Sequence, residues 1–218
     1  TETKFDTSDD TDVPSQVFVV RLDHDTVTVT PDNPVNPGDK INPNDPASPT
    51  YTPDQATVTE DHTLTVHYVG APKNPADKLQ KSHWTREVTI DKVTGKTISS
   101  TDWATTDSYV EVGTPEIAGY TPDAKVVVKP TVRKDQEVTV TYTANSAAAL
   151  VRFIDNTDNS TLTDLKLKGK TGETIDFGTA NAQLKSYLDR GYKEVANEIP
   201  TTETKFDTSD DTDVPSQV

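Results

Sequence analysis

Apolar and polar residues alternate over much of the chain between residues 64 and 142. Apolar side chains occupy every second position at Leu64, Val66 and Tyr68; at Val88 and Ile90; at Val110 and Val112; at Val126 and Val128; and at Val138, Val140 and Tyr142. A period of two places such side chains on one face of an extended strand, and the threonines at many intervening positions favour strands. This part of the chain is therefore predicted to be nearly all β.

Two short segments in this region have the composition of turns. The segment 92–95 (KVTG) separates two strand-like stretches and places a glycine where a hairpin needs a strained backbone. The segment 120–123 (YTPD) predicts a second turn.

A second β unit is predicted from Ala147 onward. Its strands are indicated by Val151 and Phe153, by Leu165 and Leu167, and by Ile175 and Phe177, with a polar turn at 155–160. One short helix follows, because Leu184, Tyr187 and Leu188 form an apolar stripe, with Thr179 as the N-cap and Gly191 as the C-terminal stop. Hairpin, helix and further strand is the order of a β-grasp (ubiquitin-like) fold.

The chain contains a long internal repeat. Residues 1–17 (TETKFDTSDDTDVPSQV) recur unchanged as residues 202–218. Chance does not produce a 17-residue identity, so we expect one period of a tandem array, 201 residues long, and the start of the next copy. Residues 18–29 follow the first copy, and we expect them to supply the closing strand of the C-terminal unit of a neighbouring copy, head to tail.

Prolines are concentrated between residues 31 and 53. Seven of the fifteen prolines lie there, mixed with Asn and Asp. Because proline fixes φ and lacks an amide donor, this stretch is predicted to be an extended, semi-rigid linker.

Together these patterns predict a mostly β (α+β) chain of two small β units, with one short helix in the C-terminal unit. Residues 1–30 are expected to close the first subdomain of the preceding repeat, and 31–53 to form the linker. Residues 54–144 are expected to form a second subdomain, and 145–218 the first subdomain of the next repeat, without its last strand.

Composition restricts the core and the partners. Hydrophobic residues make up 31% of the 218 residues, against roughly 45% in an average globular chain, so the core must be thin. The net charge of −15 argues against nucleic acid or an anionic membrane as a partner. The absence of cysteine excludes disulfides and thiolate chemistry. The chain also lacks methionine and any apolar stretch of about 18 residues, so we expect a piece of a longer protein.

Aromatic residues are the candidate ligand-binding groups. The ring faces of Trp84, Trp103 and Tyr109 suit the apolar face of a sugar ring, whereas the only two tryptophans of a thin core are more often structural. Both interpretations stay open at the level of the sequence.

Acidic runs are the candidate calcium sites. The run 6–12 contains Asp9, Asp10 and Asp12, and the turn 155–159 contains Asp155 and Asp158. Carboxylate oxygens are the ligands that calcium prefers, but the run lacks the glycine and the terminal glutamate of an EF-hand loop, so a solvated acidic loop is the alternative. No cofactor is required, and a structural or surface Ca2+ is the one candidate.

No pattern in the chain indicates catalysis. Its four histidines are scattered, and it contains no HExxH, GxSxG, Walker or dinucleotide-binding motif. The chain is therefore predicted not to be an enzyme, with no catalytic residue.

Several longer motifs resemble a known family. The motifs REVTIDKVTGK (86–96), TPEIAGYTPD (114–123) and VTVTY (138–142) resemble the second subdomain of the mucus-binding (Mub-type) repeats of Gram-positive gut bacteria. Four further motifs resemble the first, mucin-binding subdomain: LVRFID (150–155), GKTGETIDF (169–177), the GY pair at 191–192 and QVFVVRLDH (16–24).

The resemblance implies tandem, elongated β-grasp (ubiquitin-like) subdomains. They would belong to an adhesin on the bacterial cell surface, exported and anchored to the cell wall through its parent protein. Its implied partners are host mucin glycoproteins, and repetition of the module is expected to add avidity. Some relatives bind immunoglobulins in a manner similar to protein L, so an immunoglobulin-binding module is the alternative. The third interpretation is a passive stalk that provides only length. Neighbouring copies of the repeat are further expected partners.

Overall fold

The computed structural model describes Lys4 and residues 17–208, and it confirms a mostly β protein. The elements in chain order are β1 (Thr26–Val29), α1 (Pro53–Ala56), β2 (Thr59–Val69), β3 (Lys78–Thr85), β4 (Val88–Asp91), β5 (Thr97–Ser100), β6 (Val112–Gly113), β7 (Tyr120–Pro122), β8 (Val126–Val127), β9 (Gln136–Ala144), β10 (Ser146–Asp155), β11 (Ser160–Lys170) and α2 (Gly178–Asp189). The chain divides into two units. The first contains the residues up to Glu60 and His83–Thr106, and the second contains Asp61–Ser82 and the residues from Asp107 onward.

The first unit is built on a three-stranded antiparallel sheet in the order β1, β4, β5. In this sheet Val29 lies opposite Val88, and both are buried because the alternation of each strand turns these positions to the same face. The core cluster consists of Val29, Ile41, Tyr51, Val58, Val88 and Ile90.

This pairing corrects the expectation for residues 18–29. They were expected to close the C-terminal unit of a neighbouring copy, but Thr26–Val29 pair with β4 of their own unit. The pairing is reinforced by a bond between the hydroxyls of Thr28 and Thr89 at 3.1 Å and by an ion pair between Lys92 and Asp25. The prediction is wrong for β1, because the apolar face of that strand is buried within its own unit.

The proline-rich segment 31–53 also differs from the extended linker that its composition predicts. Ile41 is 5% exposed and Tyr51 is 6% exposed, and both belong to the core. The segment folds back on itself, since the amide of Ile41 donates to the carbonyl of Pro49 and the amide of Tyr51 donates to the carbonyl of Asp39. The prolines restrict the turns, while the residues between them keep the amides that pair.

The predicted hairpin turn at 92–95 is confirmed between β4 and β5. The carboxylate of Asp91 accepts the amides of Val93 and Thr94 at 2.8 and 3.0 Å, and its other oxygen lies 2.8 Å from His24 Nδ1. Gly95 has a φ of +70°, and a Cβ there would lie 2.7 Å from Pro49 Cβ. Glycine is therefore required at this turn for two independent reasons.

The second unit contains a four-stranded sheet in the order β3, β2, β9, β7. β2 and β9, which are the first and last strands of this sheet along the chain, are the two central strands. They are parallel neighbours, from Leu64 opposite Gln136 to Val69 opposite Thr141. This arrangement is that of a β-grasp sheet. Its core cluster consists of Val66, Tyr68, Val112, Val127, Val140 and Tyr142. The buried residue of β8 is Val127, whereas Val126 and Val128, which the alternation selected, are exposed.

A single residue joins this sheet to the next hairpin. β9 ends at Ala144 and β10 begins at Ser146, and Asn145 between them makes three hydrogen bonds. Its amide donates to the carbonyl of Gly119, its carbonyl accepts the amide of Thr171, and its side-chain oxygen accepts the hydroxyl of Thr121 at 2.6 Å. These contacts fix the junction without a linker.

The C-terminal part consists of the antiparallel pair β10–β11 and helix α2. Phe153 of β10 packs against Tyr187 of α2 with ring centroids 5.4 Å apart. The helix begins at Gly178 with Phe177 as its N-cap, so Thr179 is not the cap; the carboxylate of Asp176 accepts the amide of Gly178 instead. Gly191 has a φ of +97°, which confirms it as the stop. Residues 175–177, predicted as a strand, form none.

The burial of Ile41 leads to a stability prediction. Ile41→Ala should lower the free energy of unfolding by about 2 to 5 kcal/mol, because it removes a core side chain and leaves a cavity. Ile98→Ala is the matched control, because Ile98 is 57% exposed, and it should cost about 1 kcal/mol or less. Urea unfolding measures both, and equal effects would show that segment 31–53 does not belong to the core.

The contacts of Asp91 lead to a pH prediction. The hydrogen bond from His24, and then those from the turn amides, hold the pKa of Asp91 well below its ordinary 3.8. A carboxylate with a depressed pKa stabilises the folded state above about pH 4, and this contribution is lost as the pH falls through the folded-state value. The urea midpoint of the wild type should therefore fall between pH 6 and pH 2.5, and Asp91→Asn should reduce that fall. The exposed Asp32→Asn is the control, and an unchanged fall in Asp91→Asn contradicts the assignment.

Candidate functional site

The candidate binding surface of the first unit is centred on Trp103. An isolated bridge pairs Thr85 with Ala104 through two backbone hydrogen bonds of 2.8 and 2.9 Å. Antiparallel pairing places the residues on either side of such a bridge opposite each other, so Arg86 faces Trp103. The guanidinium carbon of Arg86 lies 4.9 Å from the centre of the Trp103 ring, which is within the range of a cation–π contact.

Arg86 is held by a second set of contacts. Its Nε donates to the carbonyl of Thr57 at 2.9 Å, and one terminal nitrogen donates to both the carbonyl and the carboxylate of Asp54, the latter at 2.8 Å. The Arg86 side chain is 12% exposed, whereas the Asp54 side chain is 82% exposed. The guanidinium is therefore a fixed support for the ring, and the Asp54 carboxylate is the part of this group that faces solvent.

The short helix α1 keeps this support in place. Thr52 and Gln55 form a capping box, in which each side chain bonds the backbone amide of the other. The side-chain nitrogen Nε2 of Gln55 also donates to the carbonyl of Gly95 and to the hydroxyl of Thr97. These bonds anchor α1 to the β4–β5 hairpin, and α1 in turn supplies Asp54.

Trp84 lies two positions before Arg86 along the chain. Trp84 is in β3, which ends at Thr85, and Arg86 is the next residue after the strand. If the backbone stays extended over this step, the two side chains share a face. Trp84 is half-buried, as is Trp103. Of the two tryptophans that the sequence selected, Trp103 is the one with a defined contact to Arg86.

Tyr109 belongs to the second unit and is bound there. Its hydroxyl lies 3.1 Å from the hydroxyl of Ser82, which is 1% exposed, and its amide donates to the hydroxyl of Thr131. These contacts orient Tyr109 within its own unit.

Arg86 and Asp54 are members of this surface that sequence reasoning did not select as site residues. They are 32 positions apart, so no motif links them. The signal in the sequence is local: an arginine two residues after a tryptophan shares its face wherever the backbone is extended. The side chains of Lys73, Lys78 and Lys81 are exposed, whereas the Arg86 guanidinium is paired with the Asp54 carboxylate.

The candidate calcium ligands are placed only in part. Asp9, Asp10 and Asp12 lie outside the described residues. Asp155 and Asp158 lie in the β10–β11 turn, where their carboxylates accept the amides of Thr157 and Ser160 at 2.9 and 3.0 Å. Hydrogen bonds from Ser160 lower the pKa of Asp158. Within residues 17–208 no group of three or more His, Asp or Glu side chains is arranged to hold a metal. A calcium site stays a prediction.

Two family models match the chain. The Muc B2-like domain matches residues 53–146, and the mucin binding domain matches residues 147–218. Neither description names an enzyme. Among the helices that the structure describes, none is long and apolar enough to span a membrane.

Solved structures with similar sequences have related descriptions. The MucBP domain of an adhesion protein from Pediococcus pentosaceus is 36% identical, over 39% of this chain and 99% of that one, with a TM-score of 0.35. A mucin-binding domain from Streptococcus pneumoniae is 30% identical, over 39% and 91%, with a TM-score of 0.35. The type 2 repeat of a mucus binding protein from Lactobacillus reuteri is 27% identical, over 55% and 59%, with a TM-score of 0.36. No curated protein matches the chain significantly.

Proposed function

Because the chain belongs to the mucin-binding domain family, we propose that it binds the glycans of host mucins. The match of residues 147–218 to the mucin-binding model carries this proposal. In its parent protein the module acts as one of several tandem copies on the bacterial surface, outside the cell and anchored to the wall. The unchanged 17-residue repeat supports this multiplicity.

The Trp103 surface is the proposed sugar contact in residues 53–146. A half-buried ring that is fixed by Arg86 offers an apolar contact for a pyranose, and the exposed Asp54 carboxylate accepts hydrogen bonds from sugar hydroxyls. A fixed ring loses little conformational entropy on binding, which favours a weak but specific contact. Repetition of the module then raises the overall avidity without further contacts.

An exposed sheet edge supports a second candidate function, the capture of an immunoglobulin. All four residues of β5 are exposed, and β5 is an outer strand of the β1, β4, β5 sheet. Such an edge can accept an added strand through main-chain hydrogen bonds. A pull-down with immunoglobulin tests this function separately from mucin binding, and a passive stalk would bind neither.

The sugar contact is tested by changing Trp103. Trp103→Ala should weaken binding to immobilised mucin about tenfold, the equivalent of about 1.4 kcal/mol. Trp103→Phe should retain most of the affinity, because it keeps an aromatic face beside Arg86. Surface plasmon resonance measures both variants, and circular dichroism verifies that each is folded. Equal binding by Trp103→Ala and the wild type would exclude this ring as a contact.

The net charge gives a separate prediction for mucin binding. Mucin glycans that end in sialic acid or sulfate are anionic, so a chain of net charge −15 cannot be attracted to them at long range. Raising the salt from about 50 to 300 mM at neutral pH should leave binding unchanged or slightly stronger, because screening relieves the repulsion. A steep loss of binding with salt would instead indicate that the exposed lysines Lys73, Lys78 and Lys81 attract the glycan.

A further inference from the structure

The C-terminal end of helix α2 brings two tyrosines together. The amide of Tyr192 donates to the carbonyl of Tyr187, and the amide of Gly191 donates to the carbonyl of Leu188. These two bonds form a Schellman motif, which Gly191 allows because its φ is +97°. The reversal of the chain places the ring centres of Tyr187 and Tyr192 5.4 Å apart, at an interplanar angle of 73°. The glycine stop therefore creates an edge-to-face aromatic pair.

Tyr187 is the fixed member of this pair. It is 6% exposed, and its ring centre lies 5.4 Å from that of Phe153 in β10. Its hydroxyl lies 2.6 Å from the hydroxyl of Thr163 in β11. Tyr192, in contrast, is 37% exposed. The hairpin and the helix thus hold one ring as a support and leave the other ring accessible to solvent.

The exposed Arg190 side chain contacts both rings. Its guanidinium carbon lies 5.5 Å from the centre of the Tyr187 ring and 5.9 Å from the centre of the Tyr192 ring, within the range of a cation–π contact. Such a contact uses the charge of the guanidinium, whereas its five N–H donors lie in the plane of the group. Within the part of the chain that the structure describes, no side chain or carbonyl accepts these donors. The rings orient the guanidinium and leave its donors available.

The carboxylate that precedes Arg190 is already paired. Both oxygens of Asp189 accept hydrogen bonds from Lys185 Nζ, at 2.9 and 2.8 Å. The residues that follow the tyrosine, Lys193 and Glu194, are exposed and have opposite charges. An external anion can therefore reach the Arg190 guanidinium without breaking an ion pair.

The guanidinium and the exposed ring match one class of ligand. The edge of a guanidinium binds a planar anion such as a carboxylate through two parallel hydrogen bonds, and a sulfate offers oxygens of the same kind. An exposed aromatic ring packs on the apolar face of a sugar. A sugar that carries an acidic group combines both features. The contact acts at hydrogen-bond distance, so it does not alter the long-range repulsion that follows from a net charge of −15.

We propose that Arg190 and Tyr192 form a binding site for an anionic sugar, with Tyr187 as its support. The acidic group of the sugar pairs with the guanidinium, and the Tyr192 ring contacts the apolar face of the sugar. This inference rests on the proposed binding of mucin glycans. It adds the chemical class of the sugar and a contact site in the region that the mucin binding domain model matches.

Titration of the isotope-labelled protein with three small sugars, followed by nuclear magnetic resonance, tests the site. The probes are sialyllactose, which carries a carboxylate, a sulfated lactose, and neutral lactose. At least one anionic sugar should shift the backbone amide signals of residues 190–193, and the sugar that does so identifies the acidic group. Lactose should bind about tenfold more weakly, because it lacks a charge-assisted hydrogen bond. No shift with either anionic sugar, or equal binding of lactose, overturns the proposal.

Two variants that remove the same charge separate the site from general electrostatics. Arg190→Gln should weaken binding of the anionic sugar about tenfold. Arg152→Gln should bind as the wild type does, because Arg152 is engaged by Asp164 through two bonds of 2.8 and 2.9 Å. Arg190→Lys keeps a cation at the helix C-terminus but lacks the planar fork, so its affinity should lie between the two. Undiminished binding by Arg190→Gln would show that Arg190 only caps the helix, and equal losses in Arg190→Gln and Arg152→Gln would also contradict the site.

The ring of Tyr192 provides a second pair of variants. Tyr192→Ala should weaken binding of the anionic sugar, whereas Tyr192→Phe, which keeps the ring, should retain it. Circular dichroism verifies that every variant is folded. Equal binding by Tyr192→Ala and the wild type excludes the ring as a contact and overturns the site as proposed.

Binding to immobilised mucin keeps the two proposals apart. A wild type that binds mucin, while neither anionic sugar shifts the signals of residues 190–193, retains the proposed function and overturns only this site. A wild type that does not bind mucin contradicts the proposed function, and the sugar titration then decides the Arg190 site by itself.

Discussion

The parallel pairing of β2 with β9 is the contact on which the second unit depends. It joins residues far apart in the chain, such as Leu64 and Gln136, and it brings Val66 and Tyr68 into one core with Val140 and Tyr142. In a chain with 31% hydrophobic residues, few side chains are available to bury, so their alignment on one face matters more than their number. A shift of the register by one residue would turn this set toward solvent.

Strand β9 also connects the four-stranded sheet directly to the β10–β11 hairpin. Only Asn145 separates the end of β9 from the start of β10. Its backbone amide and carbonyl are hydrogen-bonded to Gly119 and Thr171, and its side-chain oxygen accepts the hydroxyl of Thr121. The two regions matched by family models, 53–146 and 147–218, therefore meet at a hydrogen-bonded junction instead of a flexible linker. A module that provides reach on a cell surface benefits from such a junction, because flexible joints shorten the mean extension of a chain.

Adhesion by such a module fits its surface chemistry. With a net charge of −15, long-range attraction to an anionic glycan is absent, and short-range contacts must provide the affinity. The Trp103 surface offers one aromatic contact that is fixed by Arg86 and one exposed carboxylate. One contact of this kind is weak, which is why the repeated sequence is central to the proposed function.

The sequence by itself determined the class of fold, the strands with strict alternation and the family. Alternation and turn composition are local properties, so β2, β4, β9, the turn at 92–95 and the stop at Gly191 could be predicted from neighbouring residues. The two tryptophans of the candidate surface could also be selected, since aromatic residues are rare in this chain and chemically distinctive.

Tertiary structure alone decided which elements pair and which side chains meet. Segment 31–53 contains seven prolines, yet its non-proline amides pair and Ile41 and Tyr51 enter a core, because burial depends on residues distant in sequence. β1 pairs with β4 for the same reason. Arg86 meets Trp103 and Asp54 only after β3, α1 and the Ala104 bridge are in place. Such contacts join residues that no local pattern connects, and their free energy is realised only when the chain has closed the loops between them.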